Sequence, residues 1–281
     1  MTYVLLLFCL PLHLKIENIQ PINKMTKAIK RGTLALLFLM LVSSMSMAQE
    51  KVRDVSTNPE LYFLHESDVA SSLKLLPPPP QPGSAQFNYD EAQYRWGKMQ
   101  RITPRGRQAF EDAKIGDGGI EHAFSEAFGM EISRTATPEI DKLITKVVND
   151  AGDLSTREAK QHYMRMRPFM FYGEPSLTPA DEKGLSTNGS YPSGHTAIGW
   201  ATALVLTEIN PSRKDEILKR GFEYGQSRVI CGVHYQSDVD AGRVVAAGVV
   251  ASLHADEGFT KQMAKAKKEF TRLSKQHNSR K

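Results

Sequence analysis

The chain has 281 residues, 41% of them hydrophobic and 24% charged, with a formal net charge of +5 and a pI near 9.1. That composition is globular, and the length suits one large domain or two small ones. The basic balance does not mark a nucleic-acid binder: residues 1–48 hold Lys15, Lys24, Lys27, Lys30 and Arg31 against Glu17 alone, and the remainder carries 31 basic and 30 acidic residues.

The first element is a leader. "MTKAIKRGTLALLFLMLVSSMSMAQE" begins at Met25 with a basic region, continues through an apolar run, Leu34 to Val42, and ends in small residues. Ser46 and Ala48 fit the −3 and −1 positions of a cleavage site, with Gln49 as the mature start. The apolar run is short for a membrane span, so residues 25–48 read as a cleaved signal peptide and the protein as periplasmic or secreted. Residues 1–24, opening "MTYVLLLFCLPLHL", precede this complete signal. They read as an upstream gene-calling artefact or an extended leader, with translation starting at Met25. Residues 49–89 read as an irregular Pro-rich N-terminal arm, in which "LLPPPPQPGS" (Leu75–Ser84) runs extended over the main body.

From residue 90 to 281 the patterns are helical and the expected class is all-α. "TPEIDKLITKVVNDAG" offers Thr137 as N-cap, Pro138 at the first helical position, and apolar residues from Ile140 to Ala151 at helical spacing, with Gly152 as the stop. "STREAKQHYMRMRP" starts with a capping-box pattern, Ser155 and Glu158, and runs to Pro168. "SGHTAIGWATALVLTEINP", "RKDEILKRGFEYGQSRVI" and "SDVDAGRVVAAGVVASLHA" continue the series. The first and third of these are the most apolar, too short for comfortable membrane spans, and read as the centre of a bundle. "KQMAKAKKEFTRLSKQ" reads as a solvated, lysine-rich last helix. Of the two cysteines, Cys9 is lost with the leader and Cys231 reads as a small buried apolar residue.

Three stretches put polar groups where the pattern says core. In "KQHYMRMRP", Lys160 and Arg167 are seven apart, which on one continuous helix puts both on one face. They read as a solvated basic stripe or as a clamp for a dianion. In "GSYPSGHTAIGW", Ser193 suits an N-cap, Gly194 permits close backbone approach, and the free N–H groups of a helix start attract an anion. His195 lies in that first turn; an anion bound there favours its protonated form. A plain helix start explains the same residues. In "SRVICGVHYQSDVD", Asp238 either lies one turn beyond His234 or caps the next helix beside it. Its carboxylate then accepts from His234 Nδ1–H and leaves Nε2 as a nucleophile or base. Alone, this pair reads as structure or as chemistry alike. "GDGGIEHAF" (Gly116–Phe124) reads as a substrate mouth or as a plain turn before a helix. The cations Lys160, Arg167 and Arg228 around the two histidines disfavour a metal dication, and no HxH or HExxH pattern is present. "PSGH" is not the GxSxG of a serine hydrolase.

Together, "KQHYMRMRP", "PSGH" and "SRVICGVHYQSD" resemble the three-part signature K-x6-RP, PSGH, SR-x5-H-x3-D of the type-2 phosphatidic acid phosphatase superfamily, matched at Lys160, Arg167, Pro168, Pro192, Ser193, Gly194, His195, Ser227, Arg228, His234 and Asp238. The flanking text, with "LPPPP" and "AFGM", resembles the bacterial class A non-specific acid phosphatases. The resemblance implies a single all-α bundle of the acid phosphatase/vanadium-dependent haloperoxidase type. It implies a metal-independent phosphomonoesterase without cofactors, with phosphotransfer as a side activity, acting on nucleotides, sugar phosphates and aryl phosphates. It implies a homodimer or larger assembly, with no nucleic-acid partner and no membrane in the mature form. By position, it makes His234 the nucleophile that becomes phosphohistidine, Asp238 its orienter and His195 the general acid. Lys160, Arg167, Ser193, Gly194 and Arg228 then hold the phosphoryl oxygens. Some relatives in that family carry a second cysteine in the loop before PSGH; here "GEPSLTPADEKGLSTNGS" has none, which excludes a disulfide to Cys231. The alternatives are a vanadate-dependent haloperoxidase, which shares the anion-site residues, and a non-catalytic phosphate-binding protein.

Overall fold

The computed structural model describes residues 59–279. The signal peptide, its cleavage at Ala48, the reading of residues 1–24 and residues 49–58 of the arm lie outside the described residues. Among the described residues there is no strand. Nine helices of seven residues or more succeed one another: α1 (Ala85–Gln100), α2 (Pro104–Glu111), α3 (Gly119–Phe128), α4 (Pro138–Asn149), α5 (Arg157–Tyr163), α6 (Gly194–Ile209), α7 (Lys214–Cys231), α8 (Gln236–Leu253) and α9 (Glu257–Asn278). The all-α expectation holds. No described helix is long and apolar enough to cross a membrane.

The axis of the fold is α6. Eleven of its sixteen residues are buried, among them Ala197, Ala201, Val205 and Leu206, as expected for a helix that is apolar all round. It packs against α4, α7 and α8 and also touches α3 and α9. Small residues make these approaches close: a Cβ on Gly242 of α8 would stand 2.6 Å from the carbonyl oxygen of Ser193. The PSGH turn at the head of α6 is thereby pressed against α8.

Local cap and stop signals are not realised at three places. Thr137 does not cap α4; its Oγ1 instead accepts from the Ser133 amide at 3.0 Å. The first-turn amides of Glu139 and Ile140 donate to Glu269 of α9, each at 3.0 Å. A carboxylate reaches two orphan donors, where a threonine hydroxyl serves one. The Ser155–Glu158 capping box is also not made. Thr156 precedes α5, Ser155 Oγ donates to the Ala151 carbonyl, and Glu158 accepts from Ser71 Oγ. Gly152 does not end its helix directly: α4 stops at Asn149 and a π-type turn, Asp150–Leu154, follows. The last helix is solvated on one face only, since Phe259, Met263 and Ala266 are buried. "GDGGIEHAF" forms a turn, with Gly118 in the left-handed region (φ 79°), followed by α3.

The segment ahead of α1 is fastened to the body. Leu64 and Leu76 join the main core. The amides of Phe63 and Leu64 donate to the buried Asp150 carboxylate, at 3.1 and 3.2 Å. Ser72 Oγ accepts from the Ala159 amide at the start of α5, and Tyr191 donates its hydroxyl to the Pro77 carbonyl at 2.8 Å.

Candidate active site

The three motif stretches meet around the head of α6. The expectation that Lys160 and Arg167 share one helix face is corrected. The helix α5 ends at Tyr163, Met164 adopts a left-handed backbone (φ 40°), and the chain leaves the helix as far as Arg167, whose backbone is extended ahead of Pro168. The proline keeps Arg167 out of the helical region. Beyond that break Arg165 and Arg167 are buried while Met164 and Met166 are exposed. Lys160 and Arg167 still converge: Lys160 Nζ donates to the Gly189 carbonyl at 2.7 Å, and Arg167 Nη2 reaches the same oxygen at 3.5 Å. Gly189 has to be glycine, because a Cβ there would lie 2.5 Å from the Lys160 carbonyl oxygen.

His234 is buried in the turn between α7 and α8. Its Nε2 lies 3.1 Å from Arg167 Nη1, and its Nδ1 lies 3.3 Å from Asp238 Oδ2. A guanidinium only donates, so Nε2 is the acceptor and Nδ1 carries the proton. The ring is thus held neutral with a lone pair on Nε2. Burial first, and Arg167 second, keep His234 well below the usual histidine range, against the pull of Asp238.

Of the two positions expected for Asp238, the structure adopts the capping one. Asp238 is the third residue of α8, and its Oδ2 accepts from the Tyr235 amide at 2.8 Å. Ser190 Oγ donates to the same oxygen. Its Oδ1 pairs with Arg165 Nη1 at 2.5 Å. Arg165 Nη2 reaches Asp90 of α1 at 2.8 Å, and Asp90 also accepts from the Ser237 amide. Burial alone would raise the Asp238 carboxyl, but Arg165, His234 and Ser190 hold it below the usual carboxylate range. Arg165, Asp90 and Ser190 were not singled out from the sequence. Arg165 stands inside the first motif, but nothing local pairs it with an aspartate 75 residues away.

His195, in the first turn of α6, is also buried. Its Nε2 donates to the main-chain carbonyl of Asp112 at 2.5 Å, and its ring stacks on Tyr224, centroids 4.6 Å apart and planes 8° off parallel. Nδ1 has no hydrogen-bond partner among the described residues and is the nitrogen left to exchange a proton. Burial, then Arg228, hold His195 well below the usual histidine range.

The remaining expected contacts line the same space. Ser193 caps α6: its Oγ accepts from the Thr196 amide at 3.2 Å and from the Thr196 hydroxyl at 2.9 Å. Its own hydroxyl proton stays free to donate. Gly194 lets the head of α6 close on the π turn, since a Cβ there would stand 2.9 Å from the Gly152 carbonyl oxygen. Arg228, in the last turn of α7, is 4% exposed, yet its Nε and Nη1 have no acceptor among the described residues. Burial and the neighbouring Arg228 push Arg167 down to about 10. Burial and Arg167 push Lys160 down too. Buried cations that depress one another are stabilised by an anion, and the one carboxylate beside His234 is already paired with Arg165. Cys231 is buried, donates Sγ–H to the Ala109 carbonyl at 3.2 Å and has its thiol pushed up by burial, so it takes no part.

The family profile described as PAP2 superfamily matches residues 143–259. The chain is similar to the non-specific acid phosphatase of Providencia stuartii, 59% identical over 222 residues, covering 79% of this chain and 90% of that protein. It is similar to the non-specific acid phosphatase of Salmonella typhimurium, 44% identical over 208 residues, 74% of this chain and 83% of that protein. The acid phosphatase of Zymomonas mobilis is 34% identical over 237 residues, 84% of this chain and 88% of that protein.

Proposed function

The chain belongs to the PAP2 superfamily and, within it, to the non-specific acid phosphatases, and from that premise we propose that it hydrolyses a broad range of phosphomonoesters through a phosphohistidine on His234. The observation that carries this reading is the unsatisfied, buried cationic wall. Two N–H groups of Arg228 lack protein acceptors, beside Arg167 and Lys160 and a neutral histidine whose Nε2 is the acceptor of its ring. Buried donors without partners are costly unless a ligand takes them, and a phosphoryl group offers acceptors on three oxygens.

The reaction follows in two steps. Arg167 Nη1 releases Nε2 of His234 and takes a phosphoryl oxygen. The freed lone pair attacks phosphorus in line, the N–P bond forms, and the ester P–O bond breaks. His195 gives its proton to the leaving oxygen. In the second step the now neutral His195 takes a proton from water, the P–O bond to that water forms, and the N–P bond breaks to free inorganic phosphate and His234. Lys160, Arg167, Arg228, the Ser193 hydroxyl and the Gly194 amide hold the equatorial oxygens, where charge spreads in the transition state. Asp238, fixed by Arg165, keeps the proton of His234 on Nδ1. His195 is neutral in the protein alone, and a bound phosphoryl dianion offsets Arg228 and raises it, so the substrate helps to charge its own acid. The donor set supplies no free carboxylate cluster for a metal, and the scheme needs no cofactor. Transfer to alcohols other than water, secretion into the periplasm or medium, and a homo-oligomeric state belong to the same reading.

The test is hydrolysis of p-nitrophenyl phosphate across pH, with rapid alkaline quench of the turning-over enzyme. A base-stable, acid-labile phosphoryl label on His234 is expected. Turnover without any such label under single-turnover conditions would overturn the covalent route.

A further inference from the structure

We propose that Asp112 and Ser227, with Arg220, are positioning residues for His195: they fix the Asp112 main-chain carbonyl that holds His195 Nε2–H and so reserve Nδ1 for the leaving oxygen. The proposal rests on the reading of His195 as the acid. Ser227 stands next to Arg228 in the third motif, but its Oγ is fully buried and engaged elsewhere. It accepts from Arg105 Nη2 at 2.9 Å and donates to Asp112 Oδ2 at 2.5 Å. Arg220 grips both oxygens of the same carboxylate through Nη1 and Nη2. Its Nε donates to the Ala123 carbonyl of α3 at 2.8 Å. Asp112 is itself 3% exposed and forms the C-terminal cap of α2.

The geometry gives this cluster a chemical consequence. The last carbonyls of a helix lack intrahelical donors and carry partial negative charge. His195 Nε2–H satisfies the Asp112 carbonyl, and the contact favours the charged ring against burial and Arg228. Were this carbonyl to swing away, the ring would lose both its tautomer and the one contact that supports its protonation. Two bonds to Arg220 and one to Ser227 prevent that swing, and the Tyr224 ring blocks rotation about the other axis. The cluster therefore acts on proton donation and leaves the phosphate cradle alone.

The test compares kcat/KM for p-nitrophenyl phosphate, whose leaving group needs little protonation, with that for an alkyl phosphate such as glycerol phosphate, whose alkoxide needs a proton. It uses the full chain carrying Ser227→Ala, Asp112→Asn, His195→Ala and the double variant His195→Ala/Ser227→Ala, with inhibition by inorganic phosphate measured on each. General acid catalysis contributes roughly 10²–10⁴-fold. Ser227→Ala is expected to lose about tenfold more on the alkyl ester than on the aryl ester, with phosphate inhibition little changed. The double variant is expected to be no worse on the alkyl ester than His195→Ala alone. Equal losses on both esters, weakened phosphate inhibition, or additive losses in the double variant overturn the proposal and make Ser227 a structural or anion-binding group. If His195→Ala itself shows no leaving-group dependence while Ser227→Ala does, the acid assignment fails instead, and the positioning claim with it.

Discussion

Arg165 Nη1 lies 2.5 Å from Asp238 Oδ1, and the carboxylate beside His234 is thereby held by a buried arginine rather than by solvent. Asp238 and Asp90 are fully buried and Arg165 is nearly so. Such a triad is worth little compared with an apolar replacement of the whole, but removing one member strands the others.

Arg165→Gln is therefore expected to destabilise the fold by about 3–5 kcal/mol at pH 7, the cost of leaving buried carboxylates unpaired. Urea unfolding measures it. The sign of the pH dependence is fixed by the lowered Asp238 value. In the native protein that carboxyl contributes stability above its unfolded value, and the contribution is lost as pH falls through the folded value. In the variant the carboxyl rises, so the gap between the two proteins narrows as pH falls through the carboxylate range. A gap that is flat with pH would mean that Arg165 does not pair with an ionised Asp238. Asp90→Asn removes one of the two carboxylates that hold Arg165 but strands no buried carboxylate, so it is expected to cost less in stability than Arg165→Gln, with kcat reduced because Arg165 then holds Asp238 less rigidly.

His234→Ala removes the proposed nucleophile and is expected to abolish turnover, leaving below about 1% of the native kcat, since loss of a nucleophile costs orders of magnitude. The variant is expected still to bind phosphate, because Lys160, Arg228 and the PSGH turn remain. Isothermal titration with inorganic phosphate checks binding, and p-nitrophenyl phosphate release checks turnover. Retained turnover in a variant that binds phosphate normally would reassign the nucleophile.

The motif residues were legible because they are fixed by short spacing: Lys160 to Arg167, the PSGH turn, and Arg228 to Asp238 each lie within eleven residues. The structure brings these stretches together around the head of α6, so their convergence followed from type and order. The all-α class was legible in the same way, from helical periodicity and two mostly apolar helices. What sequence did not disclose is set by distant partners. Asp90 and Asp112 sit 75 and 108 residues from Arg165 and Arg220, and neither aspartate differs locally from a surface one. Thr137 and Ser155 carried good cap signals that were not used: Glu269 from the last helix takes the first-turn amides in the first case, and the π turn holds Ser155 ahead of α5 in the second. The break at Met164 has no local signal, because methionine is a good helix former with no preference for positive φ.

His195 and phosphate are expected to be linked. Burial and Arg228 hold the ring low in the free protein, and an anion between them reverses the second cause. NMR titration of the His195 ring is expected to show a value well below the usual histidine range without phosphate, raised when phosphate or vanadate is bound. The same anions are expected to inhibit turnover by occupying the cradle, and EDTA is expected to leave it unchanged. Loss of activity in EDTA, restored by zinc or magnesium, would point to a metal route.

The last prediction concerns Asp150, far from the chemistry in sequence but beneath the head of α6. Its carboxylate accepts from the Phe63 and Leu64 amides, which tie the N-terminal segment to the π turn. Burial pushes this carboxyl up to about 7, against the two amides and Lys146. A carboxyl raised in the fold contributes stability that is fully present below its unfolded value near 4 and is lost as pH rises through the folded value. Between pH about 4 and about 7, stability from this group therefore falls as pH rises, which favours the fold in acid. Asp150→Asn cannot titrate. It still offers one carbonyl oxygen to the two amides, so one of them loses its acceptor, a fixed cost of about 1–3 kcal/mol. Native protein is therefore expected to exceed Asp150→Asn in urea midpoint most at pH 5 and least at pH 8. Midpoints taken every half unit check this, since other titrating groups cancel in the difference. A difference that stays flat from pH 5 to pH 8 would show that Asp150 is ionised in the fold throughout that range, and that the segment from Phe63 is held by a full charge.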